Sequence, residues 1–311
     1  MNKNIFYPND DEHLKCAPSK KYSDGSCFTI ESLLKIAHAY NKYVGTNAFK
    51  YISTENVTKK ELVNDLTKAI TECSGDQLCW LNQKWIADIV DNDIHKNTFR
   101  PLGPQGRFEW LSTTNINDIV KQYENKYVNF KFLGAVPYDF ENIPIGISNL
   151  NFDELMQKNK TQLGMVINLD EHYKKGSHWV GLYFNLEKYC IFFFDSCGFK
   201  PKKKICNFIK RIAMWMYHKY ILNSKFEKTN IEYEKTDTES IFMTTNKNKY
   251  EKIFNIDYNK NRHQFKDSEC GVYSVNFILR LLNGETFDEI CQNITSDDKI
   301  NECRKVYFRF K

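Results

Sequence analysis

The chain has 311 residues, of which 41% are hydrophobic and 15% are aromatic. This length and this share of apolar residues suit a globular protein with a packed core and exclude an intrinsically disordered chain. The net charge of +5 arises from 44 basic and 39 acidic residues. Such a mild excess argues against a nucleic acid as the main partner, without excluding one.

No stretch approaches the roughly 20 apolar residues that span a bilayer, and Met1–Phe6 lacks the apolar core of a signal peptide. The sequence therefore predicts a protein without a membrane anchor, kept in a reducing compartment. There its ten cysteines are expected to be free thiols. The closest pairs are Cys73 with Cys79 and Cys190 with Cys197, and Cys-x-x-Cys does not occur. The spacing therefore predicts no metal site, and no cofactor is expected.

Three helices are predicted in the first hundred residues. The first begins near Ile30, the second follows a capping box formed by Thr58 and Glu61, and the third extends from Asp76 to about Val90. The densest cluster of proline and glycine then occupies residues 100–106, a composition that breaks helices and commonly marks a domain boundary. We therefore expect a helical N-terminal domain over residues 1–105 and a second domain over residues 106–311.

The second domain contains short runs rich in Val, Ile, Phe and Tyr, as strands do, between segments of helical periodicity. The predicted strands are residues 130–136, 163–169, 178–184, 189–194 and 253–258, and the predicted helices are residues 114–126, 202–222 and 270–282. A strand-rich centre with helices before and after it indicates an α+β fold.

Cys270 is the cysteine whose context favours a reactive thiolate. It lies at the start of a predicted helix, where unpaired backbone N–H groups and the helix dipole stabilise negative charge. Gln264, six residues upstream, offers a side-chain amide suited to stabilising an oxyanion. Glu269 is expected to cap the same helix.

Two upstream residues complete a catalytic set. His178 begins one predicted strand and Asp195 ends the next, so a hairpin of these strands brings the two side chains within hydrogen-bonding distance. Asp195 then orients His178, and His178 accepts the thiol proton of Cys270. The Gln264 amide and the Cys270 N–H group hold the oxyanion. Alone, His178 resembles a surface histidine and Asp195 a turn residue; together these residues favour a cysteine hydrolase.

The order and spacing of these residues resemble those of the ubiquitin-like-protein proteases and the adenovirus proteases. The Arg-His-Gln motif ending at Gln264 and the Glu-Cys-Gly motif around Cys270 are similar, in particular, to the polyprotein-processing cysteine proteases of African swine fever virus and other large nucleocytoplasmic DNA viruses. The resemblance covers about residues 106–311 and is thinner over residues 1–100. It implies a papain-like, ubiquitin-like-protease core, with a central mixed β-sheet flanked by helices and preceded by a helical arm domain.

The resemblance also implies a viral cysteine endopeptidase that cleaves structural polyproteins after Gly-Gly during virion maturation, in the virion and in virus factories of the host cytoplasm. Trp179 is then expected to bound a narrow substrate cleft, although core packing would explain this tryptophan equally well. One departure is Asp195, where the African swine fever virus enzyme has asparagine; both side chains can orient a histidine.

Two alternatives remain open. A deconjugating protease acting on SUMO- or ubiquitin-like modifiers would use the same four residues, and ubiquitin-like proteins would then be its partners. A scaffold protein with an inactive protease fold belongs to a different class. The second alternative is weakened because His178, Asp195, Gln264 and Cys270 are all chemically competent for their roles.

Overall fold

The computed structural model describes residues 16–45, 50–106, 108–223 and 254–309. They divide into two compact units, one formed by Pro104–Arg304 and the other by residues 16–103 with residues 305–309. Among the helices of these ranges, none combines the length and the apolar character needed to cross a bilayer.

A mixed β-sheet forms the centre of the first unit. Within the described residues the helices are α1 (Ile30–Val44), α2 (Lys59–Ala69), α3 (Gln77–Trp80), α4 (Asn92–Lys96), α5 (Thr113–Lys126), α6 (Phe152–Gln157), α7 (Lys203–Asn223), α8 (Cys270–Leu282), α9 (Phe287–Gln292) and α10 (Asp297–Tyr307). The strands are β1 (Phe130–Val136), β2 (Gln162–Asn168), β3 (Trp179–Asn185), β4 (Cys190–Phe194) and β5 (Asn255–Tyr258). They pair in the order β1-β2-β3-β4-β5, parallel at both edges and antiparallel in the middle. The predicted α+β fold is confirmed.

The N-terminal helices pack around a core of their own. Thr29 caps α1 by accepting a hydrogen bond from the Ser32 N–H, and Thr58 and Glu61 form the predicted capping box of α2. The core side chains that α1 and α2 bury are Leu33, Ile36, Ala37, Leu62 and Leu66. Burying one such side chain stabilises the fold by roughly 2 kcal/mol. Since isolated helices of this length are marginal, this packing maintains them.

The continuous helix predicted from Asp76 to about Val90 is wrong. Trp80 and Trp85 are both buried, with 0% and 8% of their surface exposed. Residues five apart point about 140° away from each other on an α-helix, so one straight helix would not turn both indoles into the same core. The chain instead ends α3 at Trp80 and resumes with a single 3₁₀ turn, Lys84–Ile86.

The expectation that all cysteines are free thiols is also wrong. Cys16 bonds to Cys27, and Cys73 bonds to Cys79, both within the N-terminal region. The remaining cysteines are free thiols: Cys190, Cys197, Cys206, Cys270, Cys291 and Cys303. The prediction rested on the expected compartment, and the sequence does not show which cysteines the fold brings within bonding distance. The Cα atoms of Cys73 and Cys79 lie 5.4 Å apart, within the range that a disulfide can bridge.

The two faces of β3 serve different purposes. Val180 and Leu182 point into a large apolar core that also contains the buried side of α7. Gly181 points to the opposite face, where a β-carbon would lie only 2.7 Å from the ring of Phe277 in α8. Because glycine permits this close approach, α8 lies directly against the sheet. Its first residue, Cys270, is thereby fixed relative to the ends of the central strands.

Candidate active site

Cys270 lies at the start of α8 in a narrow space. The residue is buried, with 2% of its surface exposed. A β-carbon placed on the adjacent Gly271 would lie 3.1 Å from Leu111 Cβ and 3.3 Å from Trp179 Cδ1. The Trp179 indole N–H also donates to the Leu111 carbonyl at 2.9 Å. Leu111 and Trp179 therefore pack against the first turn of the helix that carries the thiol.

His178 and Asp195 meet at the end of the β3–β4 hairpin, as the sequence predicts. His178 immediately precedes β3, Asp195 immediately follows β4, and the two strands pair antiparallel. The His178 Nε2 atom lies 2.7 Å from Asp195 Oδ1. The same imidazole lies next to the Cys270 thiol, which contributes to raising the pKa of His178. The structure thus brings these three predicted residues together.

The charge on His178 follows from its neighbours. Burial on its own would lower the pKa of His178, because a buried imidazolium loses its hydration. Hydrogen bonds with Asp195 and Cys270, and the charges of both groups, act in the opposite direction and raise the pKa to about 9. The raised pKa favours the imidazolium form of His178, in which both ring nitrogens carry a proton.

Asn259 fixes the position of Asp195, a role that sequence reasoning missed. The Asn259 side chain is fully buried just beyond β5. Its Oδ1 accepts from the Asp195 N–H at 2.8 Å, and its Nδ2 donates to the Asp195 carbonyl at 2.7 Å. Nothing in the sequence marks this asparagine, because its role depends on the parallel pairing of β4 with β5.

Gln264 is held in one orientation. Its backbone N–H donates to the Ser196 carbonyl at 2.9 Å, and the Ser196 hydroxyl donates to Gln264 Oε1 at 2.6 Å. Gln264 Nε2 donates one hydrogen to the Lys266 carbonyl at 2.7 Å. The second Nε2 hydrogen has no acceptor in the part of the chain that the structure describes. The amide is thus oriented at both ends and has one donor available.

Asp297 fastens the loop that follows Gln264, a second role that the sequence did not reveal. Asp297 Oδ2 accepts from the backbone N–H groups of Phe265 and Lys266 at 2.9 and 3.0 Å. The Tyr273 hydroxyl, in the first turn of α8, donates to the Thr295 carbonyl at 2.7 Å and lies 3.2 Å from Asp297 Oδ1. The Asp297 carboxylate therefore holds the loop beside the first turn of α8.

Glu269 does not cap α8, contrary to prediction. It makes no side-chain hydrogen bond to the first turn and is buried, with 1% of its surface exposed. Its Oε1 accepts from Asn301 Nδ2 at 2.8 Å and from the Ser268 hydroxyl at 2.7 Å, and Arg304 Nε donates to Asn301 Oδ1 at 2.8 Å. The carboxylate turns inward because α10 offers polar partners there. This buried network fixes the residue that precedes the nucleophile.

His263 lies in the interior, beside Gln264. It has 1% of its surface exposed, and its ring packs edge-on against Phe194 and Tyr273. Burial, followed by the positive charge of Arg280, lowers the pKa of His263 to about 4. Its Nε2 atom has no hydrogen-bond partner among the described residues. His263 is therefore neutral at physiological pH and is placed for packing.

His263 should make the fold sensitive to acid. The unfolded chain binds a proton at this residue near pH 6.5, whereas the folded chain does so only near pH 4. Its contribution to the free energy of unfolding is therefore complete above pH 6.5 and declines as the pH falls towards 4, by up to about 3 kcal/mol. Between pH 7 and pH 4.5, the free energy of unfolding should fall by about 2 kcal/mol less in His263→Phe than in the wild type. Urea titrations at the two pH values measure this difference. Equal losses in the two proteins would contradict this assignment.

The chain matches a protease family and individual viral proteases. The family model described as "Ulp1 protease family, C-terminal catalytic domain" matches residues 113–307. A protein of Acanthamoeba polyphaga mimivirus, named as a thiol protease, is 34% identical over 310 residues, which are 94% of this chain and 93% of its own length. A cysteine protease of African swine fever virus is 21% identical over 272 residues, 81% of this chain and 89% of its own. The crystal structure of an African swine fever virus protease matches with a TM-score of 0.58 at 17% identity and covers 96% of both chains.

Proposed function

This chain belongs to the Ulp1 protease family of cysteine peptidases, and from that premise we propose that it is an endopeptidase that cleaves viral structural polyproteins after Gly-Gly during virion maturation. The observation that carries the proposal is the placement of His178 between Asp195 and Cys270, beside the close packing of Leu111 and Trp179 on Gly271. In this proposal the protease acts in the virion and in the virus factories of the host cytoplasm.

The proposed reaction proceeds through a thioester. The Cys270 thiolate attacks the scissile carbonyl carbon, and the resulting oxyanion accepts hydrogen bonds from the Cys270 N–H and the Gln264 amide. As this intermediate collapses, the imidazolium of His178 protonates the leaving amine. Neutral His178 then removes a proton from water, which hydrolyses the thioester. Throughout, Asp195 holds the ring through Nε2.

The packing at the start of α8 supports the preference for Gly-Gly. Leu111 and Trp179 approach Gly271 so closely that even an added β-carbon there would meet tight contacts at 3.1 and 3.3 Å. A substrate chain that reaches the thiol through the adjoining space gains from having no side chains near the scissile bond.

Polyprotein cleavage and modifier deconjugation differ in what they require of the region outside the catalytic segment. Both viral relatives match this chain well beyond the catalytic segment, so the matched sequence includes part of the N-terminal region. That supports an activity particular to this viral group. Several African swine fever virus relatives are named "SUMO-1 cysteine protease", which favours the alternative of a protease that acts on SUMO- or ubiquitin-like modifiers.

A substrate panel tests the proposal. Peptides that contain Gly-Gly-X, Gly-Ala-X or Ala-Gly-X are compared with SUMO and ubiquitin fusions that carry the same scissile sequence. We expect Gly-Gly peptides to be cleaved with a kcat/KM about 10²-fold above either alanine peptide, because a methyl group must be forced into the narrow cleft. The kcat/KM for fusions with folded modifiers should exceed that for the Gly-Gly peptides by less than about tenfold.

The outcomes separate the hypotheses. Equal cleavage of glycine and alanine peptides would contradict the Gly-Gly preference. A gain of 10²-fold or more for the SUMO or ubiquitin fusions would transfer the assignment to deconjugation, since such a gain requires binding of the folded modifier. The Cys270→Ala protein serves as the control for contaminating proteases in every assay.

A further inference from the structure

A second thiol lies beside the catalytic histidine and aspartate. Cys197 follows β4 in a tight turn, in which its N–H donates to Asp195 Oδ1 and the Gly198 N–H donates to the Asp195 carbonyl, both at 2.8 Å. Gly198 has a φ of +80°, and a β-carbon there would lie 3.0 Å from the backbone of Asn261. The turn therefore requires glycine, and it fixes Cys197 next to Asp195.

The hairpin register accounts for the proximity of Cys197 to His178. The last β3–β4 pair is Gly181 with Phe194, and continuing that register places Cys197 opposite His178. Ligand atoms of His178, Asp195 and Cys197 all lie within 4.8 Å of one another. Cys197 and His178 are each partly exposed, so the cluster is open to solvent on one side. The mechanism above uses His178 and Asp195 but leaves the Cys197 thiol without a role.

We propose that His178 Nε2, an Asp195 carboxylate oxygen and the Cys197 thiolate bind one zinc ion, and that this ion reversibly inhibits the protease. Imidazole nitrogen, thiolate sulfur and carboxylate oxygen are all zinc ligands, and three protein ligands with the fourth position open to water form an open tetrahedral zinc site. The claim of inhibition rests on the proposed function, because it concerns the same histidine and aspartate.

Zinc cannot bind while the hydrogen bond between His178 and Asp195 is in place. In a tetrahedral site with bonds of about 2.0 to 2.3 Å, neighbouring ligand atoms are more than about 3 Å apart. The separation of 2.7 Å between His178 Nε2 and Asp195 Oδ1 must therefore increase by about half an ångström. Binding releases the Cys197 thiol proton and the Nε2 proton to solvent. A neutral imidazole bound through Nε2 keeps its hydrogen on Nδ1, where it can no longer accept a proton from Cys270.

Activity measurements test the inhibition. Wild-type protein, Cys197→Ser and Cys206→Ser are titrated with zinc chloride under a metal-free reductant, and each rate is normalised to the zinc-free rate of the same protein. Cys206 is the matched control, a partly buried thiol that donates to the Pro201 carbonyl at 3.2 Å. We expect EDTA to restore activity and Cys197→Ser to raise the inhibitory zinc concentration at least about tenfold. Cys206→Ser should respond as the wild type does.

Calorimetry identifies the ligands independently of catalysis. Zinc chloride should bind to the Cys270→Ala protein as it does to the wild type, and the Cys270→Ala/Cys197→Ser double variant should bind one ion fewer. Loss of this binding in Cys270→Ala alone would overturn the proposal, because zinc would then use the nucleophile. An unchanged inhibitory concentration in Cys197→Ser would overturn it as well. Failure of the Gly-Gly proposal would leave the calorimetry unaffected, so the two failures are distinguishable.

Discussion

Replacing Cys270 by alanine should reduce kcat/KM for peptide cleavage by on the order of 10⁵-fold or more, to the background of the preparation. Alanine cannot form the thioester, and the remaining groups merely bind and polarise the peptide. The fold should persist, because the loss concerns one small sulfur atom at a helix start that is already held by Leu111 and Trp179. Peptide kinetics by mass spectrometry measure the first effect, and far-UV circular dichroism with thermal unfolding measures the second.

Cys190→Ala provides the matched control for this variant. Cys190 is also a buried free thiol, but it begins β4, at the opposite end of the strand from Asp195. Burial raises the pKa of Cys190 to about 11, so this thiol stays protonated at neutral pH. We expect full activity in Cys190→Ala. Cleavage retained by Cys270→Ala, or lost in Cys190→Ala, would refute the assignment of the nucleophile.

The catalytic hydrogen bonds were predictable because they depend on local rules. A hairpin brings the start of one strand to the end of the next, so His178 and Asp195 had to meet once the two strands were placed. The helix beginning at Cys270 followed from the apolar run after it, and the structure gives the same bounds. The resemblance to a protease family, drawn from these same residues, is confirmed by the family match.

The supporting residues were not predictable, because they act across long sequence separations. Asn259 reaches Asp195 only after β5 pairs with β4, and Asp297 reaches the loop after Gln264 only after α10 docks beside α8. Leu111 bounds the site from a segment that carries no catalytic motif. Such roles belong to individual polar or apolar side chains without periodicity, so only the tertiary structure reveals them.

The wrong prediction for Glu269 has the same origin. A carboxylate next to a helix start favours capping in an isolated peptide. In the folded protein the side chain instead enters a buried network with Asn301 and Arg304, more than thirty residues further along the chain. The local rule failed because a partner from α10 satisfied the carboxylate in the interior. Sequence reasoning therefore identified the reacting groups and missed what holds them in place.

Gln264→Ala should lower kcat by about 10²-fold or more with little change in KM, because an oxyanion donor acts mainly in the transition state. The structure leaves one Nε2 hydrogen of Gln264 available while Ser196 and Lys266 fix the amide. Gln264→Glu keeps the shape and an oxygen for Ser196 but lacks the donor, so it should be at least as impaired. Gln162→Ala, which removes an amide that accepts from the Tyr183 hydroxyl in β3, should retain full kcat. Wild-type kcat in either Gln264 variant would remove this amide from the oxyanion site.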